Sequence, residues 1–273
     1  MENFDKTAIY DQVLIETLTC QRDQLIESLE YAKNIQKAIF PSYQKVNFLF
    51  PESFVFFLPK DIVSGDFYWI RKIDENVIFT VGDCTGHGVP GAFMSILGII
   101  FLNEITNHEP LLPPNQILNA LRERIMKTLN QTGKKNEQKD GMDLTLCIFN
   151  EKTRTLEFAG ANNPLYHVRN DTIYSLKGDK MPIGISGCYE ESFSVQKIEI
   201  KKGDRVYLFT DGFADQFGGE KDEKFKIRRF RKLLMDIQDK DLNQQKQVLK
   251  DTHNKWKKDK EQVDDILVMG VGF

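Results

Sequence analysis

At 273 residues and 41% apolar composition, the chain suffices for one sizeable core with an appendage and excludes a many-domain architecture. Its 37 basic and 40 acidic residues are mixed along the chain and leave a net charge of -3, which excludes a strong electrostatic footprint for nucleic acid or an anionic membrane. The cysteines, Cys20, Cys84, Cys147 and Cys188, lie far apart without a C-x-x-C pair, so reduced thiols are expected rather than a disulfide framework or a zinc site.

The opening MENFDKTAIYDQ lacks the basic and apolar regions of a secretory signal. No run approaches the roughly 18 uninterrupted apolar residues of a spanning helix, so no membrane association and a cytoplasmic location are expected. From Asp11 to Phe40 the chain is free of glycine and proline. Leu14, Leu18, Leu25, Leu29, Ala32, Ile35 and Ile39 recur mostly at three- and four-residue steps, which predicts a long amphipathic helix. Pro41 ends it, because its ring disfavours helical geometry at the preceding residue. The division expected is residues 1–41 as a helix and 42–273 as a separate domain. The stripe has two readings: packing on its own chain, or pairing with a second copy as a short coiled coil, with Gln21 and Arg22 as a register-setting polar layer. Pairing into a homodimer is the reading adopted, since a helix preceding a separate domain has little local core to cover.

After Pro41 the texture turns to strands at Phe54–Asp61, Phe67–Ile73 and Asn76–Asp83, rich in β-branched and aromatic residues. Helices are predicted over Pro90–Asn107 and Pro114–Thr132, the second with Ile117, Leu118, Leu121, Ile125 and Leu129 on one face. Gln131–Gly141 is polar and reads as an exposed loop. Strands return at LTLCIF, TLEFAG, LYHVRN, TIYSL, FSVQKIEI and DRVYLFTD; helices follow over Lys226–Ile237 and Leu242–Lys258, and DDILVMGVGF closes the chain as a central strand. Short links between strands cannot make parallel crossovers, so the fold class is α+β with largely antiparallel sheets.

Aspartates stand at the ends or starts of these strands: Asp66 in VSGDFYW, Asp83 in FTVGDCTGHG, Asp211 in YLFTDGFADQFGG, and Asp264 with Asp265 in QVDDILVMG. Taken singly, each also suits a turn or a helix cap. Gathered at one point they would repel, and divalent cations with oxygen ligands are the ordinary remedy. An all-oxygen set favours Mg2+ or Mn2+ over softer ions.

The segments DIVSGDFYW, GDCTGHGVPGAFMS, DGMDLTLC, AGANNPLY, GDRVYLFTDGFADQFGG and DDILVMG together resemble the SpoIIE/RsbU-type branch of the metal-dependent PPM protein serine/threonine phosphatases, in the family's order over residues 42–273. The resemblance implies a sandwich of two largely antiparallel sheets flanked by helices. It implies that Asp83 bridges two divalent metals, Mn2+ or Mg2+, with Asp66, Asp211 and Asp264 completing the centre. The Cys84 backbone carbonyl stands where the family usually has that of a glycine. Tolerance of a small side chain is the expectation for Cys84, with a redox role as the alternative. Asn162 and Asn163 stand where wider relatives have an aspartate for a third metal. Asp143 begins a strand and is left out of the ligand set as a turn residue.

The chemistry implied is phosphoester hydrolysis by a water that two metal ions activate, without a covalent intermediate. The lack of a C-x5-R loop agrees with this. His87 is a candidate general acid, with turn geometry as its other reading, and Lys60 is a candidate phosphate contact. The implied substrate is a phosphorylated protein in a partner-switching pathway, such as an anti-sigma-factor antagonist. Two other readings are weighed. One is a catalytically silent dimeric regulatory module of the same fold, against which the complete ligand set argues. The other is a small-molecule phosphoesterase, for which no glycine-rich nucleotide loop speaks.

Overall fold

Strands buried on both faces must carry apolar residues at successive positions, and here those positions alternate between two different cores. The computed structural model describes the backbone of residues 2–107, 110–134 and 139–273, and the side chains from Asp11 onward. Strands β1 (Ser53–Leu58), β2 (Phe67–Ile73), β3 (Asn76–Cys84), β4 (Met142–Asn150), β5 (Thr155–Ala161), β6 (Leu165–Arg169), β7 (Thr172–Leu176), β8 (Gln196–Glu199), β9 (Arg205–Phe209) and β12 (Ile266–Gly272) build two five-stranded sheets. One runs β1-β12-β9-β6-β7 and the other β2-β3-β4-β5-β8, with every ladder antiparallel. Strands β10 (Phe217–Gly218) and β11 (Glu223–Lys224) form a separate short hairpin.

Val77, Phe79 and Val81 of β3 meet Val206 and Leu208 of β9 and Leu267, Met269 and Val271 of β12 in the core between the sheets. The intervening residues serve the outer layers. Ile78 packs under helices α3 (Gly88–Ile105) and α4 (Pro114–Thr128), while Ile266, Val268, Tyr207 and Phe209 pack under α5 (Gly212–Asp215), α6 (Ile227–Asp236) and α7 (Leu242–Lys257). The result is the helix–sheet–sheet–helix layering expected of an α+β sandwich, with the closing strand β12 paired on both edges.

Helix α1 spans Glu2–Ile39, and Leu14, Leu18, Leu25 and Ile35 of its stripe are exposed, so this part of the stripe is uncovered by its own chain, whereas Leu29 and Ala32 are half-buried. Its C-terminal end is anchored. Gln36 is buried, donates from Nε2 to the Ser64 carbonyl (2.6 Å) and the Ser95 hydroxyl (3.0 Å), and accepts the Ser64 N–H at Oε1 (3.1 Å). Ile39 and Phe40 pack against the core beneath α3.

Three differences from the expected elements have local causes. A short helix α2 (Tyr43–Leu49) follows Pro41 because the Ser42 hydroxyl caps it by accepting the Lys45 N–H. Gln131 is not exposed: its side chain is buried, donating to the Asp140 carbonyl and accepting the Ile185 N–H, and so closes the base of the polar loop, of which residues 135–138 lie outside the described residues. Helix α3, with a mean hydropathy of 1.6 over 18 residues, is the described helix that is long and apolar enough to cross a membrane. In this fold Met94, Ile99, Leu102 and Ile105 instead bury themselves in the core.

Candidate active site

Four carboxylates meet at an open cavity of about 290 Å³ at the strand ends, lined by Asp83, Asp143, Asp211 and Asp264 together with Cys84, Thr85, Gly86, His87, Lys139 and Pro182. Since one water occupies about 30 Å³, the space accommodates a phosphate group and hydrated ions. Asp83 ends β3 and is paired in register with Asp143 at the start of β4. Asp211 follows β9 at the start of α5, and its backbone N–H donates to the Asp83 carboxylate. Asp264 precedes β12 and accepts the Asp265 N–H at 2.8 Å.

Asp66 lies beneath this cavity rather than in its wall. It is 2% exposed and accepts a hydrogen bond from the Thr210 hydroxyl at 2.7 Å, which links the start of β2 to the end of β9 in the opposite sheet. Burial pushes its carboxyl well above the ordinary range, and Asp83 adds to the effect. Burial likewise raises Asp83, reinforced by Asp211, Asp264 and Asp143. Asp211 is pushed up to about 6, chiefly by burial and then by Asp215 and Asp264. Asp143 is raised by burial, while a hydrogen bond from the Asn162 amide (2.8 Å) works the other way.

These shifts describe a site short of positive charge. Its donors are all oxygens, which fits a hard divalent cation, and binding such a cation favours the ionised form that burial disfavours. Among the described residues no group of three or more histidine, cysteine, aspartate or glutamate side chains is placed as a ready-made cage for an ion. A hard octahedral ion needs no such cage, because it keeps several waters and takes only one or two carboxylates.

The two consecutive aspartates divide their work. Asp264 faces the cavity, whereas Asp265 is buried and accepts the backbone N–H groups of Lys60 and Gly65, both at 2.8 Å, bracketing the loop that carries Lys60. Cys84 lines the cavity with its side chain buried, and burial pushes the thiol strongly upward, with Asp83 adding to the effect, which agrees with a small side chain tolerated at this position. The candidate acid and the candidate phosphate contact touch each other: Lys60 Nζ is 2.9 Å from His87 Nε2, and His87 Nδ1 is 2.7 Å from Asp61 Oδ2. Gly86 and Gly88 give the His87 loop its shape, with φ of +82° and +65°, which β-carbon-bearing residues rarely adopt.

Asp61, Thr210 and the anchoring role of Asp265 escaped the reading of the sequence, and Asp143, considered there but left out of the ligand set, lines the cavity. Asp143 had a signal: the end of one strand and the start of its antiparallel neighbour are adjacent in space, so Asp83 and Asp143 are natural partners.

Residues 73–273 match the family of stage II sporulation protein E (SpoIIE). The chain belongs to the SpoIIE family. Within its SpoIIE/RsbU-type branch of the PPM phosphatases, the chain is similar to the SiaA-PP2C domain of Pseudomonas aeruginosa, at 30% identity and a TM-score of 0.83, over 92% of this chain and 98% of that one. It is 27% identical over 163 residues to the phosphoserine phosphatase RsbU of Bacillus subtilis, covering 58% of this chain and 45% of RsbU; the match thus spans under half the length of that relative. The phosphatase-domain structure of SpoIIE from Bacillus subtilis, with a fragment of its regulatory domain, shares the fold with a TM-score of 0.66 at 18% identity, over 81% of this chain and 63% of that one.

Proposed function

We propose that this SpoIIE-family chain is a protein serine/threonine phosphatase that hydrolyses phosphoserine or phosphothreonine with two divalent ions, Mn2+ or Mg2+. The observation that carries this reading is the convergence of Asp83, Asp143, Asp211 and Asp264 on one cavity. Asp66, Asp83, Asp211, Asp264 and the Cys84 carbonyl are the proposed ligands, with Asp66 acting from below. When bound, the ions supply a water acidic enough to attack and neutralise charge on the phosphoryl oxygens.

The chain's own residues supply the rest. The ladders of β3 and β9 fix Asp83 and Asp211 at strand ends, while the Asp211 N–H orients the Asp83 carboxylate. His87 lines the cavity and touches Lys60, which is the proposed contact for the phosphate end of a substrate. A partner-switching substrate such as an anti-sigma-factor antagonist is the proposed class, by kinship with RsbU.

We further propose that residues 1–41 form a dimerising helix ahead of the phosphatase domain of 42–273, since Leu14, Leu18, Leu25 and Ile35 of α1 are exposed while its C-terminal end docks on that domain. The free state of Cys20, Cys84, Cys147 and Cys188 supports a reducing, cytoplasmic setting. Hydrolysis of a phosphoserine peptide, assayed with Mn2+ and with chelator for wild type, Asp83→Asn and Asp211→Asn, tests the activity. Turnover should require the metal and fall at least about 10²-fold in both variants. Activity indifferent to chelation or to both substitutions would refute the assignment.

A further inference from the structure

The contacts around His87 fix more than its position. A lysine ammonium has donors and no acceptor, so the 2.9 Å contact between Lys60 Nζ and His87 Nε2 requires Nε2 to accept. The proton of the neutral ring then sits on Nδ1, where it donates to Asp61 Oδ2 at 2.7 Å. Both ring nitrogens are engaged, which leaves neither to protonate a leaving group in this arrangement. The backbone of Lys60 is held independently, by Asp265. The loop geometry serves the same end: Gly88 is left-handed, and a β-carbon there would stand 3.2 Å from Asp61 Oδ2. The His87 side chain makes no cap bond to α3, although His87 occupies the N-cap position.

We propose that Asp61 and His87 act in series as positioning residues for Lys60, so that Lys60, and not His87, is the group offered to the phosphoryl oxygens of the substrate. This rests on the phosphatase reading. Asp61 selects the His87 tautomer, His87 directs the ammonium, and Asp265 fixes the main chain from which the lysine reaches. The side chains of His87 and Asp61 are 48% and 44% exposed, so their pairing contributes little to stability and its value lies in geometry.

The test compares kcat/KM for wild type, Lys60→Ala, His87→Ala, Asp61→Ala and the double variant Lys60→Ala/His87→Ala, with Mn2+, on a phosphoserine peptide and on p-nitrophenyl phosphate. The second substrate has a leaving group that departs without a proton donor. Lys60→Ala should lose about 10²-fold on both substrates. His87→Ala and Asp61→Ala should each lose about tenfold on both, and the double variant should be no worse than Lys60→Ala, because residues acting through one another are not additive. A His87→Ala loss confined to the phosphoserine peptide would make His87 the proton donor and overturn the proposal, as would an undiminished Lys60→Ala enzyme. Nitrogen-15 NMR of the imidazole, in the full-length protein, should show the Nδ1–H tautomer for His87 and its loss in Asp61→Ala; an Nε2–H tautomer in wild type would overturn the relay. Inactivity of the wild type on both substrates would remove the phosphatase reading, while the NMR result would still decide the relay.

Discussion

Asp83 and Asp143 stand directly opposite each other across the β3–β4 ladder, two carboxylates in register at the mouth of one cavity. Like charges so placed on neighbouring strands destabilise the pair unless something positive lies between them. Without metal, Asp143→Asn should therefore stabilise the protein by about 0.5–1 kcal/mol. The same variant should bind Mn2+ more weakly. Urea unfolding in chelator and a Mn2+ titration check both; a variant less stable than wild type in chelator would show that the pair is not repulsive.

The pH dependence of the metal-free protein follows from the same crowding. Asp211 is raised to about 6, so its folded form retains a proton that an unfolded aspartate releases near pH 3.9. Its contribution to stability is complete below that lower value and is lost as pH rises through about 6; Asp66 and Asp83, also raised, act in the same direction. A bound cation reverses the preference, so the rise in Tm caused by Mn2+ should be larger at about pH 7.5 than at about pH 5. An equal rise at both would contradict the ionisation pattern.

Gln36 ties the end of α1 to Ser64, two residues before Asp66, and to Ser95 of α3. Gln36→Leu fills the space but strands the buried polar groups of Ser64, which should cost about 1–3 kcal/mol in urea unfolding. A change below about 0.5 kcal/mol would show that the anchor contributes little.

The leucines of α1 make a cleaner case for assembly, because Leu18 and Leu25 are 55% and 66% exposed and support nothing in a single chain. The full chain should have the mass of a dimer in light scattering, and Leu18→Glu/Leu25→Glu that of a monomer with an unchanged melting profile. Identical masses would exclude the coiled coil.

What the sequence disclosed depended on how local each signal was. Strand β2 was legible in full, Phe67–Ile73, since a glycine–aspartate turn precedes its aromatic and β-branched run. The place of Asp83 and Asp211 on the cavity was legible because each stands at or just after the end of an apolar strand, before a glycine-containing turn. Helix α2 was not legible, its seven residues being too few to show a period. Asp61 reads as an ordinary loop residue; only the left-handed path through Gly86 and Gly88 brings His87 onto it. Asp264 and Asp265 could not be told apart by type, and their opposite tasks emerged from which hydrogen bonds each one reached.

The proposed hydrolysis requires paired cations held among the aspartates of the cavity. Diffraction from crystals grown with Mn2+, collected to record its anomalous signal, tests this most directly. Two anomalous peaks inside the cavity beside Asp83, both lost in Asp83→Asn crystals, are the predicted result. A cavity without a peak at millimolar Mn2+, or ions bound only elsewhere on the surface, would contradict it.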